Sequence, residues 1–160
     1  ILEAYTALYR VWKDDSLKAS LKGMVRIFLD RIICEDGHLG LFFDEDWGPR
    51  STTVSYGHDI EASWLLCEAA AVLEDQALMD EVRMISIRIA ESAMEGFTPE
   101  GGMINEYDPA SGRRSFQRDW WVQAETVVGC IHQYQNTGED IWMKRALQEW
   151  EFIRKNIILI

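Results

Sequence analysis

The sequence predicts an all-α protein built from helix hairpins, and three observations carry that prediction. Apolar residues recur at helical spacing through most of the 160 residues. Glu3-Ala4, Glu61-Ala62 and Ala124-Glu125 each lie early in the first helix of a pair, which makes an internal repeat of about 60 residues. Each of the first two pairs is followed by a glycine-containing, acidic and aromatic loop. One hairpin cannot bury both of its apolar faces alone, so such units stack side by side. Closed into a ring, three hairpins are half of a six-hairpin toroid whose inner helices line a central pocket. Periodicity leaves an open stack or a plain bundle as alternatives.

The elements follow in order. Leu2 to Trp12 places Leu2, Ala4/Tyr5, Leu8 and Trp12 on related faces. Ser16 to Ile33 repeats the pattern with Leu17, Leu21, Val25, Ile27/Phe28 and Ile32, and Asp14-Asp15-Ser16 supplies the capping chemistry between them. Gly57 to Leu73 and Ala77 to Met94 form the second pair, divided at Glu74-Asp75. Arg118 to Tyr134 and Asp140 to Ile157 form the third, divided by Asn136-Thr137-Gly138. Between pairs, Gly37 to Asp44 reads as a short strand entering a turn near Trp47-Gly48-Pro49. Gly101 to Asp108 reads the same way, with its turn at Pro109 to Gly112, so both are expected as short β-hairpin loops at one end of the α fold.

Composition narrows the function classes. A 48% apolar content suits one domain with a sizeable core, taken as residues 1–160. The net charge of -11 argues against nucleic acid and against an anionic membrane surface. No apolar run reaches the roughly 20 residues that span a bilayer, and no secretory leader is visible. The expectation is a soluble cytoplasmic protein. Both ends read as cut, since the chain opens on Ile1 without Met and closes on the apolar run 157–160. Cys34, Cys67 and Cys130 form no metal or CxxC pattern. Cys67 and Cys130 sit among apolar helical residues and read as small hydrophobes in a reducing compartment.

Two clusters can carry chemistry. In Ser55-Tyr56-Gly57-His58-Asp59-Ile60-Glu61-Ala62-Ser63-Trp64, His58, Glu61 and Trp64 are spaced by three and share a stripe of the first two helical turns. A histidine at a pocket-facing helix start can be a general base, because its pKa lies near neutrality and the helix N-terminus favours neutral imidazole. Glu61 can hold that imidazole or a sugar hydroxyl, and Trp64 offers a flat apolar wall. In Arg118 to Glu125, Trp121 and Glu125 share one face while Trp120 points elsewhere. Aromatic rings beside carboxylates suit a neutral carbohydrate, one stacking on C–H faces and the other accepting from hydroxyls. The plainer readings are a capping cluster with a buried tryptophan, and core packing. The repeat makes Glu61 and Glu125 equivalent, so His58, Glu61, Trp64, Trp121 and Glu125 are expected to converge on one end of one cavity.

Other candidates are weaker. His132 lies two turns deeper than Glu125, where a structural role is expected. His38 sits in a glycine-flanked loop and is expected to be exposed. Asp44-Glu45-Asp46 is expected to be a solvated loop, without a calcium-loop pattern. The abundance of carboxylates leaves a glycosidase open.

At the two clusters the sequence resembles a known family. Ser55 to Leu66 resembles the hallmark segment of the cellobiose 2-epimerases, and Asp119 to Glu125 their tryptophan–glutamate segment. Leu2-Glu3-Ala4-Tyr5-Thr6 is similar to the end of an earlier family segment, and the match runs through Asn156-Ile157-Ile158. The wider group includes N-acylglucosamine 2-epimerase and mannose isomerase-like enzymes; Asp59 and Ser63 resemble the cellobiose enzymes more closely. The resemblance implies an (α/α)6 barrel that opens the reducing-end ring of a β-1,4-linked disaccharide and inverts C2 without cofactor or metal. It implies that His58 is one of two proton-transferring histidines working through a cis-enediolate, supported by Glu61. It implies that Trp64, Trp121 and Glu125 line the sugar subsite. The partner histidine is expected beyond Ile160, another family histidine before Ile1 and a substrate-steadying arginine far upstream. The chain alone is therefore expected to have little or no activity. Aldose–ketose isomerisation shares the intermediate, and a catalytically silent carbohydrate-binding module is the alternative of another class.

Overall fold

The structure, a computed structural model, describes residues 1–158; Leu159 and Ile160, the end of the apolar terminal run, lie outside the described residues. Helix α1 spans Leu2–Val11, α2 Asp15–Ile27, α3 Tyr56–Leu73, α4 Gln76–Ala93, α5 Trp120–Thr137 and α6 Asp140–Asn156. Their ends follow from local chemistry. The Asp14 carboxylate accepts from the Ser16 and Leu17 amides at the start of α2, and Asp75 accepts from the Leu78 amide at the start of α4. Glu74 ends α3 in the left-handed region at φ 55°, and Gly138 ends α5 at φ 73°, its N–H donating to the Tyr134 carbonyl.

Two expectations need correction. The second helix does not run to Ile33. After Ile27 it loosens into a π-helical turn, Phe28–Ile32, where the Ile33 amide donates to the Phe28 carbonyl five residues back. The segment from Gly37 to Asp44 is not a strand. It makes single bridges, Ile33 with Leu39 and Phe43 with Pro49, because the Asp44 carboxylate takes the Asp46 and Gly48 amides and closes a tight turn. The second loop does form a ladder. Strand β2, Glu106–Asp108, pairs antiparallel with β3, Arg113–Ser115, across the turn at Pro109 to Gly112. A two-residue strand β1, Val54–Ser55, joins its other edge in the register Val54 to Tyr107 and Ser55 to Glu106.

The helices form two layers. Helix α3 packs beside α1 and α5, and each of these three packs on the helix that follows it. One core lies between α1, α2, α3 and α4, around Leu21, Val25, Leu66, Leu73, Leu78 and Val82. Another lies between α3, α4, α5 and α6, around Tyr56, Ile60, Val122, Cys130 and Trp142. Fully burying each such side chain contributes roughly 1.5–3 kcal/mol. Burial pushes the Cys130 thiol up to about 12, so it behaves as a small hydrophobe. A buried polar node crosses the layers: the Gln133 amide donates to Ser86 Oγ at 2.7 Å, and Ser86 Oγ donates to the Ser63 carbonyl at 2.5 Å. Among the described residues no helix is long and apolar enough to cross a membrane.

Candidate active site

The short strand β1 delivers the chain into α3 at a fixed angle, and this decides where His58 sits. Ser55 and Tyr56 are buried, the Tyr56 amide donates to the Asn105 carbonyl, and His58 falls in the exposed part of the first turn. Gly57 has no room for a side chain, since a Cβ there would lie 2.7 Å from Trp121 Cη2 and 2.8 Å from Val122 Cγ2. That close approach seats the first turn of α3 on the first turn of α5.

His58 and Glu61 line a cleft of about 590 Å³, together with Glu3 of α1, Phe28, the loop residues Leu39 to Phe42, and Glu106. The His58 Nδ1 atom lies 2.7 Å from Ser55 Oγ, and its ring sits 5.1 Å from the Trp121 ring at a 58° tilt. One ring nitrogen is therefore occupied. Glu61 is half-buried. Burial raises the pKa of its carboxyl, and the charges of Glu125 and Glu3 raise it further. Glu61 thus feels the charges at the equivalent positions of the repeat on the adjacent helices, Glu3 and Glu125.

The five expected residues are brought together on α3 and α5, in two groups. His58 and Glu61 line the cleft; Trp64, Trp121 and Glu125 are not among its lining residues and stand half-buried next to it. Trp64 Nε1 donates to Glu125 Oε2 at 2.8 Å, so these two side chains hold each other. Trp120 points away and is exposed.

His38 is a correction. It is buried, at 7% exposure, because the fully buried carboxylate of Asp59 lies 2.7 Å from its Nδ1 and accepts the Leu39 amide at 2.9 Å. No local signal in the sequence shows this: Asp59 turns toward the core while His58 faces out, and the partners its buried carboxylate requires come from 20 and 21 residues away in the chain. Asp44 departs from a simple solvated loop as well, being half-buried and paired with Arg50 at 3.0 Å, while Glu45 and Asp46 are exposed. His132 lies deeper, beside Asn136 at 3.1 Å, and burial holds its pKa below the ordinary histidine value, with Arg83 adding to this.

Comparisons with known proteins agree with one another. Residues 1–159 match the profile of the family described as N-acylglucosamine 2-epimerase (GlcNAc 2-epimerase). A cellobiose 2-epimerase of Bacteroides fragilis is 46% identical over 158 residues, covering 98% of this chain and 40% of the relative. One from Dictyoglomus turgidum is 36% identical, covering 99% of this chain and 40% of the relative. The chain thus spans about 40% of the length of these relatives. Among solved structures, a sugar epimerase from a ruminal bacterium superposes with a TM-score of 0.94 at 33% identity, over 99% of this chain and 40% of that one. A D-mannose isomerase superposes with a TM-score of 0.84 at 17% identity, a likeness of fold alone, over 99% of this chain and 44% of that one.

Proposed function

The chain belongs to the N-acylglucosamine 2-epimerase family, and from that premise we propose that it is part of a sugar 2-epimerase acting on the reducing-end glucose of a β-1,4-linked disaccharide such as cellobiose. Its helix hairpins are those of the family's (α/α)6 barrel. The observation that carries the proposal is His58, an exposed imidazole at the cleft wall whose Nδ1 is tied to Ser55 and which has Glu61 one turn away.

The chemistry is proton transfer at C2 of the opened sugar. With Nδ1–H donating to Ser55 Oγ, His58 Nε2 carries the free lone pair and can take the C2 proton. The electron pair of that C–H bond moves toward C1, giving a cis-enediolate. Return of a proton to the other face of C2 leaves the 2-epimer, and the histidine that returns it lies outside residues 1–160. Glu61, whose carboxyl pKa is raised by burial and by the charges of Glu125 and Glu3, lines the cleft one turn from His58 and is placed to bond a sugar hydroxyl. Trp121 packs against the His58 ring, and the Trp64–Glu125 pair stiffens the floor beside it. In this reading Trp64, Trp121 and Glu125 meet the sugar where the rest of the barrel closes over them. The chain alone has one of two proton-transfer groups and turns over little or nothing.

The test uses the full-length protein in deuterated water with cellobiose, following C2 deuterium and the mannose-ended product by NMR. His58→Asn is expected to lower both by about 10²–10⁴-fold while the protein stays folded. Wild-type rates in that variant refute the base assignment, and a wild type that exchanges no C2 hydrogen on any reducing sugar refutes the epimerase reading. A ketose product in place of the epimer moves the assignment to aldose–ketose isomerisation, which the same base serves.

A further inference from the structure

The first turn of α3 carries two ionisable side chains in succession, and the proton chemistry uses only the first. His58 faces the cleft; Asp59 faces inward and is completely buried. Its two oxygens are both engaged by one segment of the preceding loop. Oδ1 accepts the Leu39 amide at 2.9 Å, and Oδ2 lies 2.7 Å from His38 Nδ1. The His38 ring is in turn held from other elements. Its edge meets the Tyr56 ring at 5.9 Å, and its Nε2 lies 3.6 Å from the Glu95 carboxylate that follows α4. The loop has little freedom to place itself otherwise. Asp36 Oδ1 accepts the His38 amide at 3.1 Å, Ser92 Oγ donates to the Asp36 carbonyl at 2.7 Å, and Gly37 sits at φ 90° against Ser92 and Arg88. Directly after this anchor, Leu39, Gly40, Leu41 and Phe42 form a wall of the cleft that His58 and Glu61 also line.

We propose that Asp59 and His38 are positioning residues, a carboxylate–imidazole clamp that ties the cleft wall Leu39 to Phe42 to the first turn of α3 and so fixes its spacing from His58. The anchor is one residue from the proton-transfer imidazole on one side and one residue from the wall on the other. Little slack can enter between them. Burial works against a charged imidazolium at His38, but the Asp59, Asp36 and Glu95 carboxylates outweigh it and raise its pKa, while burial raises that of Asp59. The catalytic part of this proposal rests on the reading of His58 as a proton-transfer residue; the mechanical part does not.

The experiment takes the full-length protein and the variants Asp59→Ala, Asp59→Asn, His38→Gln and His58→Asn. It measures amide hydrogen exchange of residues 37–42 by mass spectrometry and, with cellobiose, the rate of C2 deuterium incorporation. Asp59→Ala is expected to speed exchange of the Leu39 and Gly40 amides, which donate to Asp59 and to the Ile32 carbonyl, by tenfold or more, and to lower the C2 rate by about 10²-fold, the size of effect a misplacement of roughly 1 Å produces. Asp59→Asn, which retains an oxygen for the Leu39 amide, is expected to restore loop protection and most of the rate. His58→Asn is expected to lose turnover with the loop still protected. Should Asp59→Ala fail to fold, His38→Gln carries the test with the same two readings. Unchanged loop exchange in a folded Asp59→Ala or His38→Gln overturns the clamp, and a freed loop with an unchanged C2 rate overturns the positioning role. If the wild type exchanges no C2 hydrogen, the epimerase reading falls, and the amide data alone decide whether the clamp exists.

Discussion

Single residues show how neighbours set the chemistry of a side chain. Glu149 of α6 is fully buried; one of its oxygens accepts the Gly102 amide at 2.8 Å and the other has no partner. Burial drives its pKa from 4.5 up to about 7, with the Gly102 amide and the Arg118 charge opposing. The folded value lies above the unfolded one, so the stabilisation is fully present below about pH 4.5 and is lost as the pH rises through 7. A shift of this size corresponds to about 3 kcal/mol. Glu149→Gln keeps an acceptor for Gly102 and cannot ionise. Melting curves at pH 5 and pH 8 are expected to show the variant gaining on wild type at the higher pH; an equal pH response in both proteins would show that Glu149 titrates normally. The same dependence on neighbours governs what could be read at the site. His58 was legible because three-residue spacing puts it with Glu61 on one stripe. The burial of His38 was not, because its partner Asp59 lies 21 residues away in sequence.

At the scale of elements, helix contacts depend on a few small residues. Gly129 of α5 lies against Ile60 of α3, and a Cβ there would stand 2.5 Å from Ile60 Cγ1 and 3.1 Å from the Ile60 carbonyl oxygen. The carbonyl belongs to helix backbone and cannot rotate away. Gly129→Ala therefore has to move α5 off α3, and the cost of overpacking, roughly 1–3 kcal/mol, exceeds alanine's helical advantage of up to about 1 kcal/mol. Urea unfolding of the variant is expected to show net destabilisation, and equal or greater stability would mean that α3 and α5 do not approach this closely. The helices themselves were visible in the sequence, since the 3.6-residue period and the Asp14, Asp75 and Gly138 end signals are local. The π-helical turn after Ile27 was not, nor were the bounds of strand β3 in the hairpin expected around Pro109 to Gly112. Phe28 to Ile32 continues the helical pattern, and Arg113-Arg114-Ser115 lacks apolar alternation, so only pairing with Glu106 to Asp108 makes it a strand.

Over the whole molecule, the hairpins meet through apolar cores and few charges. Lys22–Asp75 at 2.6 Å and Arg26–Glu81 at 2.5 Å join α2 to the start of α4, and Arg10 pairs with Glu68 between α1 and α3. All are exposed, and such pairs contribute about 0–1 kcal/mol each. Against them stands a net charge of -11, whose self-repulsion salt screens. The melting temperature is accordingly expected to rise as sodium chloride is raised to about 0.3 M, a concentration that shortens the Debye length below 10 Å; a fall would show that the ion pairs outweigh the repulsion. Sequence alone determined the helical class, the hairpin repeat and the two clusters, because periodicity, capping and spacing are properties of neighbouring residues. The tertiary structure decided that His58 and Glu61 line the cleft, that Trp64 and Glu125 bind each other, and that Asp59 is buried against His38 and the Leu39 amide. Those facts depend on how α3 lies against α5 and against the loop before it, and that placement is set by close packing between residues far apart in the chain.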